Sequence, residues 1–318
     1  MQKMTLKHNT KSLRFLSEHH DHCTECQRPF VEGETTHLGY KSKNELIYVG
    51  NCCSSLLIET IIRHVYQKRV YNIPCNDTVL WRFMDFTKFV SLLKSKAIYF
   101  SRADKFDDAF EGAKGLLKNK SIWNKYYLDY FINAIQTAPG EEERGRTNKE
   151  ILKDAKRLLQ QFNSIESHNI HTFISCWHEN KYESEAMWKL YTSSLEQGIA
   201  IKTTYKKLYY ALGRNPRIAI GRVNYIDYSQ RFAKHDGAYW FKRKSFEHEK
   251  EVRAIIYDYN TNNEVGKLIP VNLNLLIDRI YLSPVSQTWF YELLKDVTNK
   301  YNLKKKIVIS DLSATPFY

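Results

Sequence analysis

The stretch HTFISCW, residues 171–177, opens the part of the sequence that decides the predicted fold. Similar short apolar runs follow it along the chain: GIAIKT (198–203), RIAIGRVNY (217–225), EVRAIIY (251–257), RIYLS (279–283) and KKIVIS (305–310). Short apolar runs of this kind, bounded by polar segments, are typical of strands. Only two helices are predicted among them, at residues 184–192 and about 286–301. The carboxyl-terminal half is therefore predicted to be mainly sheet.

The residues in front of this stretch supply helices. LWRFMDFTKFVSLLKSKAIYF, residues 80–100, predicts a strand, a helix and a second strand, with Asp85 as a plausible N-cap. The spacing of apolar side chains then predicts two amphipathic helices between about residues 120 and 165. Helices cluster early and strands late, which favours an α+β fold over a doubly wound sheet.

Four of the six cysteines lie close together near the amino terminus: Cys23, Cys26, Cys52 and Cys53. The first pair has Cys-x-x-Cys spacing, and residues 46–49 predict a strand that leads to the second pair. Four thiolates presented on turns are a ligand set for tetrahedral structural zinc. We therefore predict a small treble-clef-like or ribbon-like zinc module over residues 1–75, with a helix after the last cysteine. The proline-centred segment 72–77 is the candidate domain boundary.

The ligand set of this module is open at one point. Adjacent side chains such as Cys52 and Cys53 rarely face one metal, so His22, His37 or His64 could complete the shell instead. Four reduced cysteines without metal are the alternative. No H-E-x-x-H pattern accompanies the cysteines, so a bound metal is predicted to hold the fold rather than to catalyse.

Charge and composition limit the class of protein. The 318 residues include 48 Lys and Arg against 35 Asp and Glu, a formal net charge of +13. This excess attracts phosphate-rich partners such as nucleic acids and dinucleotides, although a solvated lysine-rich surface explains it equally well. No apolar run approaches the roughly 20 residues of a membrane-spanning helix. We expect a soluble, cytoplasmic protein without a membrane partner.

Common catalytic motifs are missing from the sequence. No G-x-G-x-x-G follows a predicted strand and no G-x-x-x-x-G-K-[ST] occurs, which argues against Rossmann and P-loop phosphate sites. No G-x-S-x-G is present, which removes the usual serine-hydrolase elbow. The acidic spacing in EHEKEVR, residues 247–253, does not match a restriction-type nuclease.

Three stretches in fixed order carry a resemblance to a known family. They are LWRFMDFTKFVSLLKSKAIYFSRADKFDDAFEG (80–112), FISCWHENKYESEAMWKLY (173–191) followed by GIAIK, and FKRKSFEHEKEVRAI (241–255). Together they resemble the bacterial family called domain of unknown function 2971, over about residues 78 to 285. The cysteine module resembles an extension that some members carry. Arg82 departs from the pattern, since many relatives have histidine followed by tyrosine there.

The order of these elements is similar to that in ADP-ribosyltransferases. The resemblance implies that residues 76–318 form a split, bent, mixed or antiparallel sheet with a helical insertion, which binds NAD without a glycine-rich loop. It implies that Arg82 contacts the NAD pyrophosphate or ribose and that Ser175 supports the nicotinamide ribose. Glu249 or Glu251 would stabilise the oxocarbenium-like transition state, with Glu251 as the preferred residue. Because they are two residues apart, both side chains are expected on one face of a strand. Three aromatic residues could stack on nicotinamide: Trp81, Tyr99 and Trp177.

The predicted function is therefore that of an NAD-consuming ADP-ribosyltransferase-like enzyme or NAD glycohydrolase. The resemblance implies a toxin or antiphage effector that acts on a nucleic-acid or protein acceptor. A non-catalytic nucleic-acid-binding protein and a nuclease with an unrecognised site are the alternatives. Arg82 could instead pair with an acid, and Glu249 and Glu251 could form a surface salt-bridge network. For one shared site, the strand at 80–83 is expected beside that at 252–257, which places Arg82 near Glu251.

Overall fold

The computed structural model describes residues 22–43, 45–66, 71–138, 145–164, 166–192, 194–215, 217–233, 235–260 and 264–318. The chain divides into two compact units, Met1–Asn72 with Arg214–Ala219, and Ile73–Gly213 with Ile220–Tyr318. The division after Asn72 falls close to the boundary placed after residue 75 from the sequence.

The first unit contains a three-stranded antiparallel sheet in the order β2–β1–β3. Its strands are β1 (Thr35–Ser42), β2 (Glu45–Gly50) and β3 (Glu59–Val65). Phe30, Leu38 and Tyr48 are among the buried side chains that form its core. The expected strand at 46–49 is thus confirmed as the centre of β2.

The helix predicted after Cys53 is wrong. Ser54–Leu56 forms a single 3₁₀ turn, and the chain then continues into β3. Thr60, Ile61 and Val65 are β-branched, and the backbone of β3 pairs with β1 over its length. Pairing with a neighbouring strand overrides the local helical spacing. The described part of this unit is therefore a small sheet with a cysteine-bearing turn, without the helix expected of a treble clef.

The second unit alternates between strands and short helices along the chain. Beyond Asn72, the strands are β4 (Val79–Asp85), β5 (Ala97–Arg102), β6 (Thr172–Glu179), β7 (Gly198–Thr204), β8 (Ile218–Arg222), β9 (Asn224–Ile226), β10 (Phe241–Arg243), β11 (Glu251–Tyr257), β12 (Gly266–Pro270), β13 (Arg279–Leu282) and β14 (Lys306–Ile309). The helices are α1 (Phe86–Ser95), α2 (Lys120–Gln136), α3 (Asn148–Ser164), α4 (Glu185–Tyr191), α5 (Tyr205–Ala211), α6 (Leu273–Leu276) and α7 (Thr288–Lys300). The two late helices expected from the sequence correspond to α4 and α7.

Nine of the described strands form one mixed sheet. Its main path runs β12–β5–β6–β4–β7–β13–β14, and β11 pairs with β6 and β8. Most neighbours are antiparallel, whereas β13 and β14 are parallel. The predicted α+β class, with a bent mixed sheet and a helical insertion between β5 and β6, is confirmed at this level.

The sheet is split beside β6. On one edge, β6 pairs with β11 along its whole length. On its other edge, β5 pairs with Phe173 and Ile174, whereas β4 pairs with His178 and Glu179. The middle of β6 therefore has no strand partner on that edge, because β4 and β5 diverge there. The expected adjacency of β4 and β11 is wrong, since β6 lies between them.

Aromatic side chains pack together on the sheet. Trp81, Phe83, Met187 and Trp188 form one buried cluster with Ala200 and Tyr281. The rings of Phe83 and Trp188 meet edge to face, with centroids 4.9 Å apart. Met187 and Trp188 are thus part of the core, which fits their helical spacing in α4. None of the described helices combines the length and apolar character that crossing a bilayer requires.

Candidate functional site

The four clustered cysteines meet at one point of the first unit. The sulfur atoms of Cys23, Cys26, Cys52 and Cys53 all lie within 4.8 Å of one another. The Sγ atoms of Cys26 and Cys52 are 3.5 Å apart. A turn over residues 51–53 lets both adjacent cysteines reach the group. The cluster could bind one metal ion, and four sulfur donors suit zinc.

Two of the three histidines considered as substitutes, His22 and His37, lie outside this group. His37 Nε2 is 2.9 Å from Asn51 Oδ1, so that ring already has a partner. His22 is buried and does not belong to the cluster either. The side chain of His64 lies outside the described residues. Among the described side chains, the four sulfurs are the set that fits a tetrahedral ion.

The environment of the cysteines favours ionised sulfur at one position. Burial alone would raise the pKa of Cys26, but the backbone N–H of Arg28 and the neighbouring cysteine thiols lower it to about 7. The Arg28 side chain also lies 3.6 Å from Cys52 Sγ through Nη2. Thiolate is the form that binds metal, so the donors favour the metal-binding form at Cys26, whereas burial raises the pKa of Cys23 and Cys53.

Arg82 fills the split in the large sheet. Its Nη1 donates a 2.6 Å hydrogen bond to Ser175 Oγ, and its Nη2 donates to the carbonyl oxygen of Tyr99 at 3.2 Å. The guanidinium carbon lies 5.5 Å from the ring centroid of Trp177. Desolvation lowers the pKa of Arg82 to about 10. No described carboxylate forms an ion pair with Arg82, so the alternative of a simple strand ion pair is not observed.

The structure brings together some of the predicted site residues and separates others. Ser175 and Trp177 project from the same face of β6, because they are two residues apart. Glu251 lies opposite His178 in the register of β11 with β6, which places it on the other face. Arg82 and Ser175 therefore lie across the sheet from Glu251, and the predicted shared site is not assembled. The Tyr99 ring is half exposed, and its hydroxyl bonds the carbonyl of Val265.

On the face that carries Glu251, five charged side chains form what we call the charge cluster: Glu111, Lys242, Glu249, Glu251 and Arg253. Each of these residues is buried. Arg253 binds both carboxylates next to it, with Nη1 2.6 Å from Glu111 Oε1 and Nε 2.7 Å from Glu251 Oε1. Arg253 Nη1 also donates to the carbonyl oxygen of Tyr239. The cluster has three acids and two bases, so it holds one net negative charge.

Glu249 and Glu251 reach the charge cluster in different ways. Glu249 ends the 3₁₀ turn Lys244–Glu249, and Lys250 then adopts a left-handed conformation with φ 40°. Glu251 begins β11, and its backbone N–H donates to the hydroxyl of Tyr225 at 2.7 Å. The expectation that both glutamates lie on one strand and point to one face is wrong, because Glu249 precedes β11. Both carboxylates nevertheless bind Lys242 Nζ, with the Glu251 contact at 3.4 Å.

The acids of the charge cluster differ in their surroundings. Burial raises the pKa of Glu111, against the opposing effect of Arg253. Burial would also raise the pKa of Glu251, but Arg253 and Lys242 together lower it. Burial and the nearby Glu249 raise the pKa of the Tyr191 phenol. Because buried charges are costly, a cluster of this kind marks a candidate functional site.

The loop before α2 closes over the cluster. Asp108 Oδ1 accepts a 2.7 Å hydrogen bond from Arg243 Nη2. The Arg243 guanidinium lies 4.7 Å from the Phe110 ring centroid and 5.1 Å from that of Phe246. Sequence reasoning missed Lys242 and Glu111 as members of the site. A signal was present, because Arg253 is a charged residue in the middle of an apolar strand and therefore needed buried acids.

One cavity of the second unit, of about 610 Å³, lies elsewhere. Lys96, Gly213, Pro270, Asn272 and Tyr301 are among its lining residues. None of the residues predicted to bind NAD lines it. The cavity therefore gives no support to a nucleotide site at Arg82 or Glu251.

Comparison with known proteins identifies no relative: no family model, no curated protein and no solved structure matches the chain. The resemblance to domain of unknown function 2971 and to ADP-ribosyltransferases therefore stays a prediction from the sequence.

Proposed function

We propose that the second unit is an NAD-consuming ADP-ribosyltransferase-like enzyme or NAD glycohydrolase that uses the charge cluster. The observation that carries this proposal is the convergence of Glu249 and Glu251 on Lys242, at the edge of a buried network. Carboxylates fixed in such a network are preorganised to stabilise positive charge on a substrate. The resemblance stated from the sequence supplies the class of reaction.

Glu249 is the better candidate for contact with substrate. Both carboxylate oxygens of Glu251 are taken up by Arg253, and one of them also contacts Lys242. Glu249 binds Lys242 and lies beside Tyr191, a ring that is 40% exposed. Glu249 also lies in the turn that follows FKR, residues 241–243. The proposal therefore moves the substrate-facing role from Glu251, the sequence-based choice, to Glu249.

In the proposed reaction the bond between nicotinamide nitrogen and the ribose anomeric carbon breaks. The bonding electrons leave with nicotinamide, and positive charge builds on the ribose. Glu249 stabilises that charge, while Glu251 and Lys242 hold Glu249 in place. Water or an acceptor hydroxyl or amine then bonds to the anomeric carbon and loses its proton to solvent. Arg82 and Ser175 act as positioning residues that fix β6 from its opposite face.

Nicotinamide release from NAD, measured by chromatography, tests this proposal. We expect Glu249→Gln to lower the rate on the order of 10²-fold, as when one preorganised electrostatic contact is lost. Glu247→Gln, an exposed position in the same turn, should keep full activity. Glu251→Gln breaks a buried ion pair, so its activity is compared only after thermal melting shows a folded protein. Equal NAD cleavage by wild type, Glu249→Gln and Glu251→Gln would contradict the proposal.

For the first unit we propose a structural zinc ion held by Cys23, Cys26, Cys52 and Cys53. Four thiolates leave no open coordination position, which fits a structural role. A bound Zn²⁺ would join the turn that bears the first pair to the turn that bears the second. Since the described part of the unit is small, such a crosslink would contribute directly to its folding free energy.

A further inference from the structure

The helical insertion between β5 and β6 is a hairpin of α2 and α3 held together by aromatic rings. Trp123, Tyr127 and Phe131 on α2 all pack against Phe162 near the end of α3. The Tyr127 and Phe162 ring centroids are 4.5 Å apart. These contacts use the inner face of α2 and leave its opposite face without a helix partner in the hairpin.

The outer face of α2 carries large exposed side chains. Ile122, Tyr126 and Tyr130 are 60%, 65% and 56% exposed. Their spacing of four residues places them in one row, about 6 Å apart along the helix axis. Exposed Asp129 and Asn133 border the same row. The row is therefore aromatic and polar rather than continuously apolar.

The outer face of α3 carries positive charge. Lys149, Lys153 and Lys156 are exposed, and none of them forms a salt bridge with an acid in the described part of the chain. Arg157 adds a fourth charge and pairs with Asp154 at 3.5 Å. Residues 117–164 contain nine basic and six acidic side chains, a net charge of +3. Residues 22–66 contain four basic and five acidic ones, a net charge of −1, so this described stretch of the first unit is less basic than the hairpin.

We infer that the outer surface of the α2–α3 hairpin binds single-stranded nucleic acid. Tyr126 and Tyr130 would stack on bases, and the lysines of α3 would contact phosphates. Proteins that bind single strands combine these two features, aromatic platforms and a positive surface along the backbone. A bilayer is disfavoured as the partner, because Asp129 and Asn133 border the tyrosines. Nucleic-acid binding by the hairpin does not depend on NAD turnover, so a test can contradict either proposal without contradicting the other.

The full-length protein is tested by fluorescence anisotropy with a labelled 20-nucleotide single-stranded DNA and RNA over a salt series. We expect binding that weakens with salt. Because each phosphate contact contributes about −0.7 to the slope of log K against log salt for single strands, Lys149→Glu, Lys153→Glu and Lys156→Glu together should reduce that slope by about 2. A matched variant, Lys206→Glu, Lys300→Glu and Lys304→Glu, changes net charge equally at exposed positions outside the hairpin. It should bind nearly as well as wild type.

The tyrosines give an independent readout. Tyr126→Ala and Tyr130→Ala should each weaken binding on the order of tenfold without changing the salt slope, since stacking is not ionic. Tyr182→Ala, at a ring that is exposed elsewhere, is the control. If the hairpin triple-lysine variant and its matched control lost the same binding affinity, the inference would be overturned, because non-specific charge attraction would then explain the binding. Binding to vesicles of anionic phospholipid that the tyrosine variants abolish, or no nucleic-acid binding by wild type at low salt, would also overturn it.

Discussion

Arg82 on β4 donates a 2.6 Å hydrogen bond to the hydroxyl of Ser175 on β6, where β4 and β5 part. A neighbouring strand would normally form backbone hydrogen bonds with the middle of β6 on this edge. Instead, one guanidinium bridges the gap, bonds the carbonyl of Tyr99 and lies near the ring of Trp177. Arg82, which the sequence resemblance assigns to NAD binding, thus stabilises the sheet where it splits.

Replacement of Arg82 should therefore lower stability. Arg82→Met removes two hydrogen bonds, one of them to the hydroxyl of the buried Ser175, at a cost of about 1–3 kcal/mol in unfolding free energy. Arg82→Lys should not restore the loss, because an ammonium group lacks the planar fork that spans both acceptors. Urea denaturation measures both effects, with Arg279→Met at an exposed position as control. A lysine variant as stable as wild type would contradict this account of the gap.

Loss of Arg253 should be among the most damaging changes in the second unit. Arg253→Met leaves Glu111 and Glu251 buried without their common partner, which typically costs about 3–5 kcal/mol. Adding Glu111→Gln and Glu251→Gln should recover part of the lost unfolding free energy, since the two unpaired carboxylate charges are then removed. The free energy of unfolding of the single and triple variants checks this. A triple variant less stable than Arg253→Met would show that the charges are not the cause.

Mild acid should weaken the protein through His178. Desolvation lowers the pKa of this buried histidine, and the nearby Lys250 and His248 act in the same direction, against the bond to the Glu249 carbonyl. The unfolded chain binds a proton near the usual pKa of 6.5, whereas the folded chain does so only at lower pH. Stability should therefore be full above pH 7 and fall as the pH drops through 6.5.

Thermal melting at several pH values measures this dependence. His178→Gln should remove that part of the pH dependence, while His248→Gln, which removes only one of the smaller causes of the shift, should keep most of it. Other groups near this window, such as Cys26 with a pKa of about 7 and Glu111 with a raised pKa, are present in both proteins, so the difference between wild type and His178→Gln reports His178. A His178→Gln protein that still loses stability between pH 7 and 6 would assign the effect to another group.

The cysteine cluster gives a prediction about metal content. One equivalent of zinc should copurify, and Cys23→Ser or Cys26→Ser should lose it and destabilise the first unit. Cys75→Ser, at an exposed thiol outside the cluster, should retain the metal. Elemental analysis by mass spectrometry measures the zinc, and limited proteolysis follows the first unit. Intact protein without any zinc would contradict the prediction.

Local sequence patterns predicted the features of the fold that depend on residues close together in the chain. The strands near 171–177 and 251–257, the helix after Asp85 and the grouping of the four cysteines all follow from short-range spacing. The pairing of strands did not follow, because whether β4 lies beside β6 or β11 depends on residues about a hundred positions apart. The left-handed turn at Lys250 also escaped prediction, since nothing in EHEKEVR marks a break in the alternation.

The members of the candidate site were also predicted only where they lie close together in the sequence. Glu249 and Glu251 were named because the order of the sequence elements is similar to that in ADP-ribosyltransferases. Glu111 and Lys242 were not found, because they reach Arg253 and the two glutamates from distant loops and strands. The opposite orientation of Ser175 and Glu251 depends on strand register, which a one-residue shift reverses.

The shared edge of β6 has a consequence for how the chain acquires its structure. β4, α1 and β5 are consecutive, yet β4 and β5 pair with β6, some seventy residues later, and not with each other. During synthesis β4 and β5 therefore leave the ribosome before β6, their pairing partner, has been made. The other edge of β6 stays unpaired until β11 has been synthesised. Such long-range closure slows folding and prolongs the exposure of apolar edges. We expect refolding in the range of milliseconds to seconds or slower, with aggregation as the competing process, and a nascent chain that needs protection until β11 has emerged.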